Sequence, residues 1–151
     1  MRIVNAVAVA IVTLSSFACA TQYRSSDTSL TGGFTEIRLA PNQWRVLVEG
    51  NGFTTRGEAE QFLLRRCAEL TLEQGKRYFV LDGHDAWLNA WRSRSGVQHT
   101  APANSAVVTA LDESEQRAFD AAQIVAETND AAGGKLSDAA RHTLELVAPR
   151  S

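Results

Sequence analysis

Lysine is nearly missing from this chain, with only Lys76 and Lys135 among 15 basic residues that face 17 acidic ones for a net charge of −2. Without a basic excess there is no electrostatic footprint for a nucleic-acid polyanion, and no nucleic-acid partner is expected. Cysteine is equally scarce. Cys19 and Cys67 are the only two, which rules out a disulfide framework and leaves Cys67 without a thiol partner whichever way the amino end is processed. The longest apolar run, Ile3 to Leu14, is interrupted by Asn5 and Thr13 and falls short of the roughly 20 residues of a membrane-spanning helix. There is no Gly-x-Ser-x-Gly setting or neighbouring base for Ser105 or Ser114, and no phosphate-cradling glycine loop. These gaps point away from hydrolase triads, nucleotide chemistry and cofactors.

What is present begins at the amino end. Arg2, the apolar stretch after it and the small residues around Cys19 have the three parts of an export signal. Its end can be read in two ways. Cys19 is either the acylated first residue of a lipoprotein, after a signal over 1–18, or part of an Ala18-Cys19-Ala20 site cut after Ala20 to free a soluble periplasmic module. Acylation supplies enough buried methylene for stable anchoring. Ala20, in place of an inner-membrane retention aspartate, directs such a protein to the outer membrane, facing the periplasm.

Residues 19–33 are polar and rich in Ser, Thr and Gly, a composition suited to a flexible tether. Alternating apolar residues predict strands over Phe34 to Leu39 and Trp44 to Glu49, joined by a turn at Pro41-Asn42. Thr55 with Glu58 three residues on makes a capping box for a helix ending near Gln74, with Gly75 as its C-terminal cap. Ala59, Leu63, Cys67 and Leu70 make its apolar stripe, so Cys67 serves as a small buried hydrophobe. Tyr78 to Leu81 and Ala106 to Leu111 are the next strands. Between them, Asp82 to Asn104 is expected as a long irregular segment with Trp87 and Trp91 on a short helix. Asp120 and Ser137 are set to cap two last helices, over Asp120 to Thr128 and Ser137 to Val147, with a loop at Asn129 to Lys135. The order β-β-α-β-β-α-α predicts a two-layer α+β fold, a small mainly antiparallel sheet with one main helix on one face. The domain is assigned to 34–128 and the C-terminal loop and helix to 129–151.

Two groups of residues stand out as candidate sites. Asp82, His84, Asp85 and the later His99 share the long segment and carry the groups that metal or acid-base chemistry uses, although their spacing matches no metal motif. Trp87 and Trp91, four apart and followed by Arg92 and Arg94, suit a membrane interface, a glycan or a partner groove. They would serve equally to cover the sheet face that the main helix leaves open. Arg65 and Arg66 are expected to pair with Glu69.

The stretch Gly33-Phe34-Thr35-Glu36-Ile37-Arg38-Leu39, the link Asn51-Gly52-Phe53-Thr54-Thr55-Arg56, the helix end Ala68-Glu69-Leu70-Thr71-Leu72-Glu73-Gln74-Gly75 and the strand Tyr78-Phe79-Val80-Leu81 resemble a family of small proteobacterial cell-envelope lipoproteins of unassigned function. The likeness covers Gly33 to Leu81 and is faint afterwards, except at Ala118-Phe119-Asp120-Ala121. It implies a lipid anchor at Cys19 and carries over no catalytic residue, because the shared positions are core, turn and cap positions. Together these features predict a lipid-anchored envelope protein with a structural or binding role. Its partners would be the membrane, through acylation, and an envelope protein or glycan. The soluble periplasmic module is the first alternative, and a hydrolase or metal enzyme using His84, Asp85 and His99 the second.

Overall fold

Pro41 and Asn42 turn the first predicted strand back on the second, giving β1 (Gly33–Ala40) paired antiparallel with β2 (Gln43–Glu49). The computed structural model describes residues 32–129 and 135–147. The signal, Cys19, nearly all of the tether and most of the loop after Asn129 lie outside the described residues. Downstream are α1 (Arg56–Glu73), β3 (Tyr78–Arg92), β4 (Gln98–Leu111), the two-residue β5 (Phe119–Asp120), α2 (Ala121–Thr128) and α3 (Asp138–Val147). The five strands form one antiparallel sheet in the order β1-β2-β4-β3-β5. With its three helices the domain is α+β, as the element order predicts.

The capping box at Thr55 is complete: its hydroxyl accepts the Glu58 amide at 3.2 Å while its own amide donates to the Glu58 carboxylate at 2.7 Å. The helix it starts buries Leu63, Leu64, Cys67, Ala68 and Leu70 against Trp44, Val46 and Val48 of β2, Ala106, Val108 and Ala110 of β4, and Phe79 and Leu81 of β3. Each fully buried large aliphatic or phenyl side chain there contributes about 1.5–3 kcal/mol of transfer free energy. The main helix does not cover that face alone. Ala121 and Ile124 of α2, and Leu136, Ala140 and Leu144 in and before α3, join the same core, so the C-terminal helix belongs to the domain. Arg66 reaches from α1 to Glu36 on β1 at 2.6 Å and to Glu73 at 2.9 Å. Arg65 pairs with Glu69 at 3.0 Å.

The structure corrects the expectation for Asp82 to Asn104. Most of that segment is sheet: β3 runs on to Arg92, a tight turn follows, and β4 starts at Gln98. Trp87 and Trp91 are on a strand, not a helix. A four-residue spacing keeps two side chains on one side under either period, so the pair could not tell the two apart. The Asp-Gly-His-Asp stretch marks a β-bulge, with Asp82 opposite Val107 but Asp85 opposite Ser105. Gly83 adopts the left-handed φ of 67° there, a conformation open to glycine at little cost.

Candidate functional site

The bulge changes which side chains face the helices. Before it the odd-numbered Phe79 and Leu81 point into the core; the extra residue shifts the phase, so His84 is buried and Trp87 and Trp91 fall on the opposite, helix-free face. His84 is 4 % exposed and lines a cleft of about 260 Å³ between the start of α1 and α3. Gly57, Glu60 and Gln61 form one wall; Leu136, Arg141, Leu144 and Glu145 form the other. The Arg141 Nε donates to the Leu136 carbonyl at 3.2 Å, which fixes the base of its guanidinium beside the cleft.

Neither imidazole nitrogen of His84 has a hydrogen-bond partner of good geometry, nor does Oδ1 of the neighbouring buried Asn104. Burial pushes the imidazole below its ordinary value, against the upward pull of Glu60, Asn104 and Asp85. A neutral ring presents one donor and one acceptor, and Asn104 approaches it as a hydrogen-bond partner without reaching good geometry. Leaving such groups unmet costs about 1–3 kcal/mol each. An incoming polar molecule could recover that cost.

The remaining predicted residues are dispersed. Asp85 follows His84 on the strand but is exposed, and alternation turns it to the helix-free face. Asp82 is exposed and accepts from the Thr109 hydroxyl at 3.4 Å. His99 stacks on Trp91, with centroids 5.5 Å apart and planes at 18°. It lies six residues along β4 from Ser105, the partner of Asp85, a separation of about 20 Å at the strand rise. His84, Asp85 and His99 therefore do not converge, and among the described residues no group of three or more metal-ligating side chains is placed to hold an ion. Cys67 is a free, buried thiol, and burial pushes it well above its ordinary value.

Trp87 and Trp91 stay partly exposed, while Ala101 and Ala103 beside them are 3 % and 0 % exposed although no helix covers that face. The indole N–H of Trp87 donates to Asn89 at 2.9 Å, and Asn89 donates to Glu49 at 3.2 Å, tying the hairpin to β2. The sequence reading missed the cleft entirely. Its only signal was His84 after the Asp82-Gly83 break, which matters once α3 packs beside it.

The comparisons yield no relative: no protein-family model matches the chain, and neither does any curated protein or solved structure.

Proposed function

We propose that this chain is a lipid-anchored protein of the bacterial envelope, held by Cys19 and facing the periplasm, whose domain binds a small polar molecule. The export-type amino end and the family resemblance support the anchor. Among the described residues no helix is long and apolar enough to cross a membrane. The binding reading is carried by His84, a buried neutral imidazole whose nitrogens lack a well-aligned partner in the fold, at the wall of a cleft that also offers the Glu60, Glu145 and Arg141 charges. A buried polar group without a well-aligned partner in the fold calls for an explanation, and a ligand in the adjoining cleft supplies one.

Two measurements test this. Growth with a clickable fatty acid should label the wild-type chain and leave Cys19→Ser unlabelled; equal absence in both removes the anchor, and a mature chain beginning at Thr21 establishes the soluble alternative. For the cleft, long-range proton–nitrogen spectra of the His84 ring should move when free amino acids, amino sugars or short dicarboxylates are titrated in. A ring unmoved by all three classes counts against the binding role.

A further inference from the structure

Among the described residues, five of the nine exposed large hydrophobics, Phe53, Trp87, Leu88, Trp91 and Val97, sit on the outer half of the β3–β4 hairpin or on the turn beside it. Phe53 belongs to that end because its turn starts where the Gly50 amide donates to the Pro102 carbonyl at 2.8 Å. Within the hairpin, residues 86–100 include Arg92 and Arg94 and no acidic residue. β4 then runs its full length of 14 residues to the far end of the sheet, about 45 Å away, where Asp112, Glu113 and Glu115 follow. The hairpin end is thus apolar and basic, whereas at the far end acidic and basic residues are mixed, Lys76 pairing with Asp112 at 2.6 Å and Arg77 with Asp120 at 3.2 Å.

The chain's first described residues lie at the apolar end too. Gly33 is opposite Glu49, Glu49 opposite Ala103, and Ala103 opposite Trp87, so the row in which β1 starts is the row where the free hairpin begins. Twelve residues separate Cys19 from Gly32, a span of at most about 47 Å when fully extended. The described chain therefore starts at the end of the sheet from which the hairpin projects.

We infer that the tip of the β3–β4 hairpin is a membrane-contacting element that enters the headgroup layer of anionic phospholipid end-on, bringing in Trp91 from one face, Leu88 from the other and Val97 at the turn, with Arg92 and Arg94 on the phosphates. Indole rings favour that layer because one part of the ring is apolar and its N–H needs a polar partner. Arginine stems lie along apolar surface while their guanidinium groups bind phosphate in bidentate fashion. An anionic surface strengthens binding about fivefold for each basic residue near it. Electrostatics favours the hairpin end, since residues 86–100 hold Arg92 and Arg94 with no carboxylate among them, while Lys76 and Arg77 at the far end are paired with Asp112 and Asp120. The buried anchor and the hairpin would act as two attachments, fixing how the His84 cleft is held above the bilayer. This inference rests on the envelope reading for its setting, but its test separates the two.

Acylated protein is reconstituted into vesicles of phosphatidylethanolamine and phosphatidylglycerol, and tryptophan emission is quenched with lipid brominated near the glycerol or with aqueous iodide. Trp44, 5 % exposed in the core, is the internal reference. Bromolipid should quench Trp91 and Trp87, and iodide access to them should be roughly halved on going from lipid-free to vesicle-bound protein. Arg92→Glu with Arg94→Glu should shift the contact equilibrium away from the bilayer by more than about tenfold, with flotation unchanged because the acyl chains remain. Protein that floats but keeps its tryptophans open to iodide and untouched by bromolipid overturns the inference while leaving the anchor intact. Shielding that appears only on adding peptidoglycan or an envelope-protein fraction overturns it in favour of a glycan or protein partner. Protein that does not float defeats the anchor alone; the released chain added to the same vesicles must then still show bromolipid quenching that depends on phosphatidylglycerol, or the inference fails.

Discussion

β3 and β4 form one continuous ladder whose two halves have different lives. In the inner half, Tyr78 to Leu81 against Val108 to Leu111, alternate side chains are buried under the helices. In the outer half, Ala86 to Arg92 against Gln98 to Asn104, the ladder is equally regular but most of the β3 side chains are exposed. Hydrogen bonding is common to both; cover by helices is not. Pro102 marks the change. A strand residue's amide and carbonyl point the same way, and the Pro102 carbonyl accepts from Gly50, just beyond the last residue of β2. Its missing N–H therefore faces Gly50, past the end of β2, and removes no bond from the β3–β4 ladder. A two-stranded ribbon is marginal by itself, so this one draws its order from the sheet it extends, and its exposed aromatics are free for other duties.

The difference can be broken most severely in the inner half. Phe79 is fully buried and stacked on Phe119 with centroids 5.0 Å apart. Phe79→Ala should cost about 3–5 kcal/mol in chemical denaturation; a loss under about 1 kcal/mol would mean that the core is not where the packing puts it. Next comes the tie between layers. Arg66 joins Glu36 and Glu73 and lies over the Phe34 ring at 4.9 Å, and Arg66→Ala should cost about 1–2 kcal/mol, with part of the loss being stem packing that salt does not screen. Complete suppression of the effect by salt would show that only the exposed charges mattered.

The inner half was legible in the sequence and the outer half was not, for one physical reason. Val46 and Val48, Leu63 and Cys67, and the Thr55–Glu58 box obey local rules that need no distant partner. The outer hairpin depends on pairing across the Ser93–Val97 turn, and Ala86 to Trp91 has residues equally at home in a helix. Asp82-Gly83 does not tell a bulge from a strand end, because both use the same residue types. His84 could be seen as a polar residue of interest, but its cleft could not, because Glu60 and Arg141 are far from it in the chain and the loop before α3 gives no sign of where that helix lands. Cys67 facing inward was readable from its place on the stripe.

A smaller effect follows from the same bulge. Burial holds the His84 imidazole below its ordinary value of 6.5, so between the folded and the unfolded values the unfolded chain binds the proton more readily. Stability from the neutral ring is therefore present above about pH 6.5 and is lost as pH falls below it, at no more than about 1.4 kcal/mol per pH unit for one proton. Denaturation curves at about pH 7.5 and about pH 5.5 should separate for the wild type. They should draw together for His84→Leu, which keeps the volume and removes the proton site. An equal separation in both would assign the acid sensitivity to another group.

The least costly change should be the one that best sharpens the contrast between the halves. Trp91 stacks on His99 and adjoins Ala101, and cross-strand pairs of this kind contribute about 0.2–1 kcal/mol. Trp91→Ala should therefore lower stability by about 0.5 kcal/mol, several times less than Phe79→Ala on the same strand. A loss near that of Phe79→Ala would mean that the indoles act as the missing lid of the helix-free face, and the outer hairpin would then be core. A small loss in stability accompanied by a large loss of bromolipid quenching would separate folding from function within a single strand, at the bulge where the side chains change faces.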